Sequence, residues 1–524
     1  MIKEKIEAGK TYLGIELGST RIKACLIDDT FSPIASGSFE WESHIEDGYW
    51  TYSLDEIHNG VRGCFKSLCD DVMNKYQITL TTVGAIGVSA MMHGYLAFDE
   101  EDNLLVPFRT WRNTTTGTAA AELTQLFKFS IPQRWSIAHL YQAILNGEEH
   151  VKKIAHITTL AGYIHYLLTG KREVGIGEAS GMFPISGSGY DRNMLEKFSD
   201  AVKDKYEWNI CDILPCVKRA GERGAYLTEE GARFLDADNN LKAGIPVCPP
   251  EGDAGTGMAA TNAVSPKTGN VSAGTSIFAM LVLEKQLSNI YPEIDMVTTP
   301  DGFPVAMVHC NNCCSELDAW VKIFGEFASL AGMLIDKSKL YEMLYKNALG
   351  GDEDCGGIIS YNYLSGEHVT GIEHGRPMYF RTPQSKMSLA NFMKSQLYSS
   401  MASLKIGMDI LFKQENVSAE QFMAHGGLFK VPGAAQQILA NALDTSIAVM
   451  ETAGEGGAWG MALLAAYMLE GSEKTLGAWL DENVFADMDK QVKTPDKNGV
   501  AGFCEYINVY RKGLEAEKKL EGIM

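Results

Sequence analysis

The sequence predicts an α/β protein of two large domains, each carrying a β-hairpin whose tip is a short Gly-Ser/Thr turn. The first tip is Gly18-Ser19-Thr20, between the apolar runs Tyr12–Leu17 and Ile22–Asp28. The second is Gly274-Thr275-Ser276, between Asn270–Ala273 and Ile277–Val282. Glycine lets backbone N–H groups approach an anion closely, and neighbouring hydroxyls add donors. Two such tips half a chain apart suit a nucleotide phosphate held from both sides. At 524 residues the chain exceeds a single core and asks for two domains or more.

The pattern along the first half gives strands at Tyr12–Leu17, Ile22–Asp28, Ile34–Trp41 and Val83–Ala90. Between the last two, Ser53-Leu54-Asp55-Glu56 reads as a capping box, followed by Ile57, Val61, Phe65, Leu68, Val72 and Tyr76 on one helical face. The result is a βββαβ start. A Rossmann domain begins strand–GxGxxG–helix instead. In the second half the hairpin at Gly274 precedes an amphipathic helix with Leu389, Phe392, Met393, Leu397, Met401, Leu404, Met408 and Leu411. A strand at Phe422–Ala424 leads to His425-Gly426-Gly427, a helix at Pro432–Leu443 and a strand at Ser446–Met450. Gly454-Glu455-Gly456-Gly457-Ala458 then opens a small-residue helix, Trp459–Leu469. With no linker-like segment, the boundary is expected near 254, giving domains 1–254 and 255–524.

Bulk properties narrow the class. Hydrophobic residues make up 45% and charged residues 21%, a globular balance. A net charge of -20 argues against general nucleic-acid binding, which draws its affinity from a basic footprint. Met1–Lys10 lacks an apolar signal core, and no apolar run is long enough for a membrane helix. A cytoplasmic location with reduced thiols is therefore expected for the 11 scattered cysteines. His309-Cys310-Asn311-Asn312-Cys313-Cys314 has Cys-x-x-Cys spacing but no second pair, so it reads as a loop entering the helix of Trp320, without a structural metal.

Taken together, these residues resemble the FGGY carbohydrate kinases. Leu13–Ala24 is similar to the family's first phosphate loop, and Gly87-Val88-Ser89-Ala90-Met91-Met92-His93-Gly94 to the Met-His-Gly segment of xylulose kinases. Tyr163–Gly170 and Glu178-Ala179-Ser180-Gly181 resemble its central region. Leu214 to Val247, running into Glu251-Gly252-Asp253-Ala254-Gly255, resembles the stretch that ends in the catalytic aspartate. Gly274-Thr275-Ser276 resembles the second phosphate loop, Leu364-Ser365-Gly366-Glu367 a recurrent loop before the long helix, and Gly426-Gly427 with Glu455–Leu464 the adenosine-side segments. The resemblance implies two actin-like (ribonuclease H-like) domains flanking a central catalytic cleft, ATP and Mg²⁺ as cofactors, and a small sugar as substrate.

It also implies roles. Asp253 would be the base that takes the proton of the sugar hydroxyl; read alone, an aspartate in Gly-Asp-Ala-Gly is a turn or helix cap. Gly18, Ser19, Thr20, Gly274, Thr275 and Ser276 would hold the phosphates, with Lys23 beside them or simply solvated on its hairpin. Gly426 and Gly427 would receive adenine; Gly454–Gly457 would flank it or pack a helix. Glu16 replaces the family's usual Asp at the Mg²⁺ position, and its extra methylene moves the carboxylate by roughly 1.5 Å. On the sugar side stand Met92, His93, Trp111 and Asn113, the last where relatives carry Asp. Arg134 and His139 occupy a further segment where relatives differ.

The expectation is transfer of the ATP γ-phosphate to the terminal hydroxyl of a ketopentose, xylulose first because of Met92-His93-Gly94. L-ribulose is the alternative, given Glu16, Asn113 and the surroundings of Arg134. Domain closure on the sugar is expected to limit wasteful hydrolysis. An actin-like ATP-binding sensor or scaffold without a sugar is the non-enzyme alternative, against which Asp253 and His93 weigh. No nucleic-acid or membrane partner is expected. A homodimer stays open, since no exposed apolar stripe that demands one is legible.

Overall fold

The computed structural model describes residues 2–203, 205–450, 456–471 and 473–520. Strand β1 (Thr11–Leu17) is buried at every position but Glu16, as its continuous apolar run requires of a central strand. It pairs antiparallel with β2 (Arg21–Asp28), Leu17 opposite Ile22 and Glu16 opposite Lys23. The Gly18 N–H bonds the Arg21 carbonyl at 3.1 Å to close the turn. β3 (Pro33–Glu40) adds to β2, and α1 (Leu54–Tyr76) follows with its capping box formed: Ser53 Oγ accepts from Glu56 N while Glu56 accepts from Ser53 N. Ile57, Val61, Phe65, Leu68 and Val72 are buried, the face the sequence predicts.

β4 (Ala85–Ala90) runs parallel to β1, starting two residues later than the pattern suggests. The sheet order is β5-β6-β4-β1-β2-β3, where β5 is Ala225–Tyr226 and β6 is Pro246–Val247; β7 (Glu251–Gly252) also pairs with β4 and leads into helix α2 (Asp253–Ala260). Gly14 and Gly87 are opposite one another on β1 and β4 and leave a smooth trough across the sheet. The helix Gly456–Glu470 fills it. A Cβ on Gly14 would come within 2.0 Å of the Ala458 carbonyl, and one on Gly87 within 2.6 Å of Met461. A second core, around Tyr95, Trp135, Ile137, Phe183 and Phe198, forms in the chain between β4 and β5.

The other sheet contains β8 (Thr268–Ala273), β9 (Ile277–Val282), β10 (Gln421–His425), β11 (Ser446–Met450) and β12 (Lys490–Lys493), in the order β9-β8-β10-β11-β12. Helix α3 (Cys314–Leu330) carries Trp320 as expected. Helix α4 (Leu389–Asp409) differs from its expected amphipathic character, because polar Gln396, Ser399, Ser400 and Ser403 are as buried as its leucines. Three of the four are satisfied internally: Gln396 donates to Ser360, Ser400 to the Leu397 carbonyl, and Ser403 pairs with the Tyr363 hydroxyl.

Two further differences matter. The single cut near 254 contrasts with two discontinuous units: one holds the described residues of Met1–Ser265, Met296–Val305 and Gly454–Asp487, the other Pro266–Asp295, Ala306–Ala453 and Met488–Met524. The absence of an apolar stripe is also corrected. Ile323, Phe327 and Leu330 on α3 and Leu334 beyond it are exposed, the last at 97%. Interleaved Lys322 and Glu326 break this face into single apolar positions in the sequence. No described helix is long and apolar enough to cross a membrane.

Candidate active site

The first Gly-Ser-Thr tip is held from behind by aromatic side chains. Trp41 Nε1 donates to the Gly18 carbonyl at 2.7 Å, the Tyr52 hydroxyl donates to the Ser19 carbonyl, and Trp41 N–H donates to the Thr20 carbonyl at 3.2 Å. Trp41 and Tyr52 stack with centroids 4.2 Å apart. The lone pairs of the turn are thus occupied and turned away from any anion that meets its N–H groups. Trp111, 41% exposed, donates its indole N–H to Ser19 Oγ at 3.2 Å. It stands at this tip. Asn113 is buried: its amide oxygen accepts from Trp50 N, and its amide nitrogen donates to the Trp50 and Thr110 carbonyls. All its hydrogen-bonding directions hold backbone, so its work is to position the segment beside Trp111.

The end of β4 meets the start of α2. Met92 N–H and Ala254 N–H both donate to Asp253 Oδ1, at 3.1 and 3.0 Å. Asp253 retains solvent access, yet the protein around it raises its carboxyl above the usual aspartate range against the pull of these amides and of Arg134. His93 has φ 73° and Gly94 φ 94°, two consecutive left-handed residues that turn the chain sharply after the strand. The His93 ring is buried 3.3 Å from the Gly181 carbonyl, and burial with the nearby Arg134 charge keeps it neutral. Gly181 is obligatory there, since a Cβ would lie 2.5 Å from His93 Nδ1. Met92 is buried beside it. His139 lies behind this cluster, close enough for its charge to act on His93: it is fully buried, stacks on Tyr95, and burial drives its pKa down to about 3.

Glu16 lies next to Asp253 in the same unit. Burial, then the Asp253 charge, raise its carboxyl, while Lys23 across the strand pair and the Ala458 N–H lower it. Two carboxylates with one lysine between strands form an electron-rich pair that a divalent cation would relieve, so the donor set fits Mg²⁺. Gly457 packs on Glu16, where a Cβ would come within 2.4 Å of Oε1, and Gly460 packs on the Thr256 carbonyl. These small residues serve helix packing here; Gly454 and Glu455 lie outside the described residues.

Two acids escaped the sequence reading as site residues. Glu251, fully buried, accepts from Gly177 N at 3.2 Å and Glu178 N at 2.9 Å, and burial pushes its carboxyl up to about 8. Glu178 packs on Gly252, its carboxyl raised well above normal by burial and by the charges of Glu251 and Asp253. The legible signal was the glycine spacing, Gly175 and Gly177, each leaving room for the Glu251 carboxylate. A groove of about 730 Å³ beside Lys23, lined also by Ser38, Gly63 and Lys66, includes neither Asp253 nor His93.

In the other unit, Gly274 N–H bonds the Ser276 carbonyl at 2.8 Å, and a Cβ on Gly274 would meet nothing within 4 Å. Gly426, φ 105°, abuts the Ala273 carbonyl so closely that a Cβ would lie 2.2 Å from it. Gly427, by contrast, faces open space. The second tip and the Gly-Gly pair are therefore neighbours at the ends of β8 and β10, where Ser272 is opposite His425.

Two units of this kind, each with a hairpin tip at one end of its sheet, belong to a sugar phosphotransferase. The chain belongs to the FGGY family of carbohydrate kinases, whose N-terminal domain matches residues 11–259 and whose C-terminal domain matches residues 269–469. ATP is the phosphate donor of that family. The chain is 22% identical over 478 residues to the xylulose kinase of Haemophilus influenzae, covering 85% of this chain and 89% of that one. In fold it is similar to the xylulose kinase of Rhodospirillum rubrum, with TM-score 0.78 and 16% identity over 97% of this chain and 99% of that one. It is likewise similar to the glycerol kinase of Plasmodium falciparum with ADP, with TM-score 0.76 and 14% identity over 97% and 98%.

Proposed function

We propose that the protein phosphorylates the terminal hydroxyl of a ketopentose, a xylulose first, at the expense of ATP. The observation that carries the reading is the junction of Met92-His93-Gly94 with Asp253, an arrangement that presents a neutral imidazole and a carboxylate to one substrate. Similarity to xylulose kinases supports the sugar class. In this reading Asp253 Oδ1 is held by two amides, and Oδ2 takes the hydroxyl proton as the oxygen attacks phosphorus. The raised carboxyl makes it a stronger base than an ordinary aspartate. Arg134 and His93 orient the sugar, Trp111 and the two Gly-Ser/Thr tips receive the phosphates, and Gly426-Gly427 line the nucleoside. Glu16 would hold Mg²⁺, which would supply neutralisation of phosphate charge.

The test is coupled ADP release with MgATP across D-xylulose, L-xylulose, D-ribulose, L-ribulose, gluconate and glycerol. One pentulose turning over far faster than the rest supports the reading, and preference for gluconate or glycerol overturns the sugar assignment. Silence on every sugar with ATP still bound favours a nucleotide-binding sensor.

A further inference from the structure

We infer that Asn312 and Glu367 form a latch that fixes the Gly274-Thr275-Ser276 turn for phosphate, acting as positioning residues for the nucleotide without touching it. The inference rests on the reading of that turn as a phosphate-binding tip. The contacts run in a chain. Cys314 N–H donates to the Gly274 carbonyl at 3.0 Å and Cys313 N–H to the Thr275 carbonyl at 2.9 Å. The carbonyls of the tip are thereby tied back, as Trp41 and Tyr52 tie back those of the first tip, by a wholly different device.

The 313–314 peptide has no regular strand to hold it, because it lies between the end of a strand at Cys310 and the start of α3. Its support is two buried amides: Asn362 Nδ2 donates to the Cys313 carbonyl at 3.0 Å, and Asn312 fixes the segment just before it. Asn312 Oδ1 accepts from Leu364 N at 2.9 Å and Ser365 N at 3.0 Å, with Ser365 Oγ at 3.2 Å. Asn312 Nδ2 donates to the Ser365 carbonyl and to Glu367, each at 3.2 Å, and Asn312 N–H donates to the same Glu367 oxygen at 3.2 Å. Asn311, at the surface, adds one bond to the Gly366 carbonyl at 2.8 Å. Only an amide offers an acceptor and a two-hydrogen donor side by side in this geometry. Aspartate of the same shape loses both donated bonds and faces the Glu367 carboxylate with a like charge, whereas pairing it with glutamine at 367 restores a donor between the two.

Affinities of the full-length protein for ATP and for adenosine, measured by calorimetry, test the latch. Asn312→Asp is expected to weaken ATP about tenfold, one lost charge-assisted contact's worth of geometry, and to leave adenosine unchanged. Asn312→Asp with Glu367→Gln is expected to recover most of that loss, and the milder Asn311→Ala to weaken ATP two- to threefold. Unchanged ATP affinity in Asn312→Asp overturns the latch, as does an equal loss of ATP and adenosine in Asn311→Ala. A Thr275→Ala/Ser276→Ala variant separates the premises. If it binds ATP normally, the phosphate reading itself fails; if it weakens ATP while Asn312→Asp does not, the latch alone fails.

Discussion

Met92 and Asp253, 161 residues apart, are joined by a single hydrogen bond from the Met92 N–H to Asp253 Oδ1 at 3.1 Å. That bond ties the residue leaving β4 to the residue entering α2, and Gly252 makes room for it, since a Cβ there would come within 2.9 Å of Met92 Cγ. The His93 turn and Asp253 therefore move as one body within their unit.

Asp253→Asn keeps the shape and the amide contacts of one oxygen but removes the base. Turnover with the preferred sugar is expected to fall by about 10²–10⁴-fold while ATP affinity stays within twofold. In the wild type, activity rises with pH as Asp253 loses its proton. The raised carboxyl places that rise above the range of an ordinary aspartate. A full-activity Asp253→Asn enzyme in a steady-state assay rules the base out.

Gly274 and Gly426 predict opposite behaviour for the same substitution. Alanine at Gly426 must adopt φ 105° with its Cβ against the Ala273 carbonyl, and a loss of roughly 2–4 kcal/mol is expected. Alanine at Gly274 has open space, so the melting temperature is expected to hold while KM for ATP rises at least fivefold. Thermal melts and ATP kinetics on both variants check the pair.

Glu251 titrates between pH 4.5 in the unfolded chain and about 8 in the fold. A raised folded value means the native state binds the extra proton, so stability falls as pH rises through this window and levels off above it. Glu251→Gln removes the proton linkage. Its difference in melting temperature between pH 5 and pH 8.5 is expected to be smaller than that of the wild type, and an unchanged difference refutes the assignment.

Thiol chemistry divides the cysteines by exposure. Cys211, Cys216 and Cys504 are exposed, while Cys64, Cys248, Cys310, Cys313, Cys314 and Cys355 are buried. Burial pushes the Cys64 thiol up to about 12. A thiolate-specific reagent is expected to label the three exposed residues rapidly in the native protein and the buried ones only after unfolding. Fast native labelling of Cys313 or Cys314, located by peptide mass spectrometry, contradicts the burial of these two thiols behind the second tip.

Much of the fold was readable because its signals are local. The capping box at Ser53, the two Gly-Ser/Thr tips between apolar runs, and the strand at Ser446–Met450 depend on neighbours within a few residues. What failed to show was tertiary. Nothing in its local sequence announces that Asn113 is consumed by the Trp50 backbone, or that Glu251 finds two amide donors some 70 positions earlier. The polar side of α4 pointed to solvent on pattern alone, and only the groups around Ser360 and Ser395 reveal it as interior. The exposed α3 face failed for the converse reason, its apolar residues being scattered among lysine and glutamate.

The trough at Gly14 and Gly87 has a consequence for how the protein is made. The helix that seats there, Gly456–Glu470, is synthesised roughly 200 residues after the rest of the sheet it covers. At ribosomal speeds of about 5–20 residues per second, that sheet waits on the order of 10–40 s with an apolar face open. The N-terminal unit cannot finish folding as it emerges. A nascent or truncated N-terminal half therefore exposes that apolar face until its own distant C-terminal segment arrives to cover it.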